Sequence, residues 1–428
     1  MKKFYTIVIL AMTFVAAYAQ PQSPVMADFL KAYPQRAGFN THAYEFLPVV
    51  DTKAPKGYKP FYISHYGRHG ARSEWGSYAF DLVRSVLDSA RAGGVELTSA
   101  GDSLLHETIF LSGQYNEMDG RLTPRGVREH ERLAARMYKR FPSVFKKGSK
   151  QIRAVSSTTP RCIVSMNGFT GELRAIQPDL ELDLDTGEKY MAYISKAADG
   201  DITKRTQAAL AERNYRKLPD STTVFKTLFK DPQAAEKYVK DKYFFHFCIF
   251  AIARTAEAFD VNDNLFRYLP FADVYRFHEQ TFLNDYLNQC NSALNGDLRM
   301  PLSKDLADVL FRQADDVISG VSHRAADLTF GHDWPFLGLC SYLGLEGVGD
   351  RLSADEAAAQ WLPSWYCPFA ANLQMIFYKA KNGPVLVKFL VNERETLIPA
   401  LTAVQGPYYR WDDVKNYCNN RFLPKSTN

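Results

Sequence analysis

Two hydrophobic rhythms alternate along the chain. Residues 61–66, Phe-Tyr-Ile-Ser-His-Tyr, form a continuous β-prone run that empties into Gly67-Arg68-His69-Gly70, which predicts a buried strand ending in a tight loop. In Leu122-Thr123-Pro124-Arg125-Gly126, Thr123 can cap a helix and Pro124 suits its first position. That helix is expected to run to about Phe141, with Val127, Ala134, Met137 and Phe141 near one face. Residues 151–155 read as a short strand, and Ser156-Ser157-Thr158-Thr159-Pro160-Arg161 leads from it into another helix. A further strand at 327–330 leaves through Gly331-His332-Asp333 into a helix over 334–345. Residues 375–380 and 384–392, joined through Asn382-Gly383, predict an antiparallel hairpin. Recurring strand, polar loop and helix mark an α/β fold.

Residues 172–300 carry a different rhythm, mostly helical, with long periodic stretches at 244–259 and 274–287. The chain is therefore expected to hold an α/β core, 20–171 and 301–428, with an α-helical cap, 172–300, inserted into it. Between residues 189 and 242 the cap has 12 Lys/Arg against 7 Asp/Glu, which reads as a solvated helical face or as a patch facing substrate. The 428 residues, 46% hydrophobic and 23% charged, describe a folded globular protein rather than a disordered, fibrous or polytopic membrane chain.

The first residues have the pattern of a cleaved secretory leader. Lys2 and Lys3 precede an apolar run at 4–16, and Ala17-Tyr18-Ala19 offers a small-x-small cleavage site before Gln20. The mature protein is expected in the periplasm or outside the cell, unattached to membrane. Loss of the two lysines would leave 50 basic against 47 acidic side chains, too small an excess to argue for nucleic acid. Export would let the six cysteines (Cys162, Cys248, Cys290, Cys340, Cys367, Cys418) form disulfides in any of 15 pairings; buried free thiols are the alternative.

Three expected strand exits carry Arg68-His69-Gly70-x-Arg72, Arg161 and His332-Asp333. In an open α/β sheet, ligands bind at the carboxyl ends of the strands, so these residues can converge. Three guanidiniums offer forked donors matched to phosphate oxygens, and His69 lies between two of them. No GxxxxGK loop and no convincing GxGxxG is present, which argues against a kinase or a dinucleotide enzyme.

In this order, Arg68-His69-Gly70-Ala71-Arg72, Leu122-Thr123-Pro124-x-Gly126, Arg161 and His332-Asp333 resemble the second clade of the histidine phosphatase superfamily, which includes histidine acid phosphatases, phytases and multiple inositol polyphosphate phosphatases. The resemblance implies a mainly parallel central sheet with flanking helices and an inserted helical cap. It implies a metal-independent, cofactor-free hydrolysis of phosphate monoesters, with His69 as nucleophile, Asp333 as proton donor, and Arg68, Arg72, Arg161 and His332 holding the phosphoryl oxygens. Phytate or another inositol polyphosphate is the expected substrate, with sugar phosphates such as glucose 1-phosphate the alternative.

Two positions depart from the family pattern. Glu74 stands where a proline is usual, and Trp334-Pro335 follow His332-Asp333 where a small polar residue is usual. Other readings of the same residues are a metal-dependent phosphohydrolase with His332 and Asp333 as ligands, and a phosphate-binding protein without turnover. His65, four residues before His69, reads as packing rather than as a metal ligand because it falls on a strand. His42, His106, His130, His246, His278 and His323 lie in no motif, and the basic helix 125–140 reads as a solvated face.

Overall fold

The computed structural model describes residues 26–218 and 221–422, so the expected leader lies outside the described residues. Among the described residues eight strands make one mixed sheet, in the order 181–186, 151–156, 326–331, 59–68, 372–379, 386–391 and 394–396, with 409–410 paired to 386–391. Its parallel half consists of β1 (Lys59–Arg68), β2 (Gln151–Ser156), β3 (Glu181–Thr186) and β4 (Ala326–Gly331). The antiparallel half consists of β5 (Asn372–Lys379), β6 (Leu386–Val391), β7 (Arg394–Thr396) and β8 (Tyr409–Arg410). Both faces are covered: Tyr62 and Tyr66 of β1 enter one buried cluster and Ile63 the other. Burial on two faces is why β1 reads as an unbroken apolar run.

Six helices matter for the site: α1 (Pro124–Arg140), α2 (Pro160–Ile176), α3 (Lys242–Thr255), α4 (Phe271–Gln289), α5 (Gly296–Ile318) and α6 (Asp333–Leu343). Thr123 caps α1, its hydroxyl accepting the Gly126 N–H. The buried face of α1 differs from the expected one: Glu129, His130 and Leu133 join Ala134 and Met137, while Val127 is only half-buried. Nor is the basic face merely solvated, since Arg136 pairs with Glu393 at 2.7 Å and Arg140 with Asp51 at 2.7 Å.

The stretch 172–300 is helical with one exception. β3 extends the sheet there as an edge strand, and its Glu-Leu-Asp-Leu-Asp-Thr leaves both faces largely in solvent, too little apolar signal to read as a strand. At the other end α5 runs straight through residue 300, so no element boundary falls there. The basic residues of 189–242 reach acids on several elements: Arg213 meets Glu279 at 2.9 Å, Lys196 meets Asp305 at 2.5 Å and Arg216 meets Asp241 at 2.7 Å. All six cysteines are free and buried. No described helix is long and apolar enough to cross a membrane.

A kinked 3-10 segment, Pro34–Thr41, packs against α3 and α4 and brings the chain's early residues to the sheet. His42 fastens it: Nδ1 lies 2.8 Å from Glu257 and Nε2 3.0 Å from Glu45. Burial alone would lower the pKa of this imidazole, but the hydrogen bonds and charges of Glu257 and Glu45 outweigh it and raise the value to about 9. A folded pKa above the unfolded one stabilises fully below the unfolded value of about 6.5, and the gain disappears as pH rises through about 9. Thermal melts of His42→Gln should therefore show it less stable than wild type by about 1–3 kcal/mol near pH 6, with the gap closing above pH 9. A gap independent of pH would contradict the ion pairs.

Candidate active site

The ends of β1, β2 and β4 meet as the sequence suggests. Arg68 and Gly331 are partners in the β1–β4 register, and Ser156 pairs with Phe330 across β2–β4. Beyond the strands the registry continues, with the His69 N–H donating to the Gly331 carbonyl (2.9 Å) and the Ser157 N–H to that of Phe330 (2.9 Å). The turn after His69 lies directly on the start of α1. A Cβ at Gly70 would run into the Gly126 carbonyl and one at Gly126 into that of Ala71, so both glycines are needed for backbone to meet backbone.

The His69 side chain is oriented by its own loop. Nδ1 lies 2.9 Å from the Gly70 carbonyl, which can only accept, so Nδ1 carries the proton and Nε2 keeps its lone pair. Burial, then the charges of Arg68, Arg161, Arg72 and His332, push its pKa well below the ordinary value. A neutral imidazole with a free Nε2 in a cationic surround has the chemistry to attack an anionic ester.

Arg68 is fully buried, and its Nη1 donates to the carbonyls of Asn40 (2.5 Å), Pro368 (2.9 Å) and Cys367 (3.1 Å). Nη2 lies 3.0 Å from Asp333 Oδ2, while Nε has no partner. Arg72 and Arg161 flank the Trp75 indole at 4.6 and 4.7 Å. Arg161, in the first turn of α2, also donates to His332 Nδ1 at 3.2 Å, so the His332 proton lies on Nε2, 3.1 Å from Ser157 Oγ. Burial and the Arg161 charge lower the pKa of His332 to about 4. Asp333 opens α6, where Oδ1 accepts the Trp334 N–H (3.0 Å) and Oδ2 that of Asn40 Nδ2 (2.9 Å). Burial would raise its pKa, but the charges of Arg68, His332 and Arg72 hold it below the usual carboxylate range. Among the described residues no group of three or more His, Cys, Asp or Glu side chains is placed to hold a metal ion.

A model of the histidine phosphatase superfamily, branch 2, matches residues 67–392. The chain belongs to this family. Membership makes it by class a phosphoric monoester hydrolase. Among solved structures, the apo multiple inositol polyphosphate phosphatase of Bifidobacterium longum superposes with a TM-score of 0.74 at 17% identity, covering 92% of this chain and 99% of that one. The phytase of D. castellii gives a TM-score of 0.64 at 13% identity over 91% and 86% of the two chains, and that of Hafnia alvei, in complex with tartrate, 0.53 at 11% over 87% and 99%. At these identities the likeness establishes the fold. A search of curated proteins gave no match.

Both departures from the family pattern are built into this phosphatase. Glu74 is buried and accepts hydrogen bonds from Arg254 Nε of α3 at 3.1 Å and from Thr255 Oγ1 at 3.0 Å. It thereby ties the His69 loop to the helical segment. Trp334 lies flat on His332, ring centroids 4.2 Å apart and planes 3° from parallel, and its indole N–H donates to the Ser195 carbonyl at 3.3 Å. His65 packs on Phe169 and Phe330 behind the site.

Sequence reasoning missed Glu129. Buried in α1, it accepts the N–H of Ala71 at 2.7 Å and of Tyr44 at 3.2 Å, holding the loop just past His69. Its spacing from Gly126, Leu133 and Met137, all on the buried face, was the available signal. Glu129→Gln leaves one acceptor for two N–H groups, so kcat should fall about 10- to 100-fold with unchanged far-UV dichroism. Unaltered kcat would show that the loop needs no such support.

Proposed function

We propose that the protein is an exported phosphomonoesterase that turns over phosphate esters through a phosphohistidine on His69, with phytate or another inositol polyphosphate as substrate. The observation that carries this reading is the neutral His69, with Nδ1 tied to Gly70 and Nε2 free, ringed by the charges of Arg68, Arg72 and Arg161. Nε2 attacks phosphorus as the P–O bond to the alcohol breaks, the arginines and His332 meet the equatorial oxygens, and the leaving oxygen takes a proton from Asp333. Asp333 then receives a proton from the water that attacks the phosphohistidine, releasing phosphate and restoring His69. An arriving phosphate draws Arg68 from Asp333, so the proton affinity of Asp333 rises when a proton is needed.

The substrate assignment leans on family and on solved relatives. The B. longum enzyme is named for inositol polyphosphates and was crystallised with phosphate and with inositol hexasulfate. The leader pattern of residues 1–19 supports export.

Phosphate release from phytate and from glucose 1-phosphate, at about pH 5 in EDTA, tests the reading. Wild type should stay active and prefer phytate, and His69→Ala should lose at least about 10³-fold. A preference for glucose 1-phosphate would make this a general sugar phosphatase; activity lost in EDTA and restored by metal would overturn the phosphohistidine route. Because His69 stays neutral far into the acid range while Asp333 must be protonated, kcat/KM should fall on the alkaline side. A profile flat from about pH 4 to 8 would contradict that division of roles.

A further inference from the structure

A second carboxyl approaches the proton donor from the helical segment. Asn40 Nδ2 donates to Asp333 Oδ2 at 2.9 Å and to Asp285 Oδ2, on α4, at 3.3 Å, so one amide group spans the two carboxyls. The backbone is strained to do so: Phe39, immediately before Asn40, is buried with φ +58° and ψ −118°, a conformation that non-glycine residues avoid. Structure of this kind is retained where it positions something.

The two carboxyls have different company. Asp333 has Arg68 at 3.0 Å and the Trp334 N–H besides Asn40. Asp285, half-buried, has only Asn284 Nδ2, at 3.3 Å from Oδ1, and feels Arg68 and Arg254 at longer range. The nearby thiols of Cys290 and Cys367 stay protonated through burial. On the same helix, His278 Nδ1 bonds the Ala37 carbonyl, and Arg299 of α5 is turned to Gln289 and the Trp334 carbonyl. Elsewhere on α4, Asp273 pairs with His246 at 2.8 Å, Arg276 donates to the Asn214 carbonyl at 3.1 Å, and Glu279 pairs with Arg213, which also reaches Asp355. One amide group brings the two carboxyls close, and like charges that near each other do not readily ionise together. Burial, then the Asp333 charge, raises the pKa of Asp285 to about 7.

We propose that Asp285 is a positioning residue for the proton donor: joined to Asp333 through Asn40, it makes the two carboxyls one protonation unit that holds a single proton. The proposal rests on the reading of Asp333 as the acid. In the first step the unit gives its proton to the leaving oxygen through Asp333, and in the second it regains one from the attacking water. Without the second carboxyl, Asp333 alone is left to hold the proton, and the arginine charge around it keeps its proton affinity low.

The experiment compares kcat/KM against pH for glycerol 2-phosphate, whose alkoxide must be protonated to leave, and p-nitrophenyl phosphate, whose phenolate need not be. Asp285→Asn keeps an acceptor for Asn40 but removes the titrating group. It should shift the alkaline limb for glycerol 2-phosphate at least about one pH unit toward acid and leave that for p-nitrophenyl phosphate in place. Asn40→Ala, which cuts the bridge from the other side, should reproduce the shift and decides the matter if Asp285→Asn does not fold. A limb unmoved for both esters, or an equal loss for both at every pH, overturns the proposal. Hydrolysis of p-nitrophenyl phosphate by wild type and its loss in His69→Ala test the underlying reading separately.

Discussion

A guanidinium buried at the end of the central strand is the constraint on which the site depends. Removing a cation from water is expensive unless it is paired and fully hydrogen-bonded, and Arg68 has no exposure. Its partners are the carbonyls of Asn40, Cys367 and Pro368 and the carboxylate of Asp333, with the Phe369 ring 5.0 Å away. Pairing this one side chain, through Nη1 and the Asp333 carboxylate, ties the early segment, the start of α6 and the chain entering β5 to β1, while Nε keeps no partner. Because β1 lies between parallel β4 and antiparallel β5, the charge arrives at the junction of the two halves of the sheet.

That charge also sets the chemistry. Arg68 contributes to lowering the proton affinity of His69, His332 and Asp333, so the free site holds two neutral imidazoles and an ionised carboxylate among arginines. Burial lowers the pKa of Arg72 as well, to about 10. The site is a preorganised excess of positive charge, and an incoming phosphate supplies what it lacks. Orientation is fixed equally tightly, by the Gly70 carbonyl on His69, Arg161 and Trp334 on His332, and Glu129 on the loop between them.

The residues legible in the sequence were those whose role is local. Gly67 to Arg72 announce a strand, a turn and a close approach in one stretch, and Thr123-Pro124 announce a helix start, so β1, α1 and the motif residues were within reach. What escaped notice depends on long-range contact. Asn40 meets Asp333 across 293 positions, and nothing near either residue encodes the meeting. Asp285 lies in a helix whose apolar period is satisfied without it, and Glu129 was masked by the basic residues around it. β3, an edge strand with two leucines, lacked the buried face that makes strands readable. The cysteines could be read either as bridged or as free until the fold was known.

The helical segment therefore does more than cover the sheet: Arg254 braces the His69 loop through Glu74, and Asp285 reaches Asp333 through Asn40. In the proposed reaction His69 carries the phosphoryl group between two displacements. Rapid alkaline quench of the enzyme turning over a ³²P-labelled ester, followed by peptide mapping, tests it most directly. The account predicts alkali-stable, acid-labile label on the peptide containing His69; absence of label during turnover, or label on another residue, would contradict it.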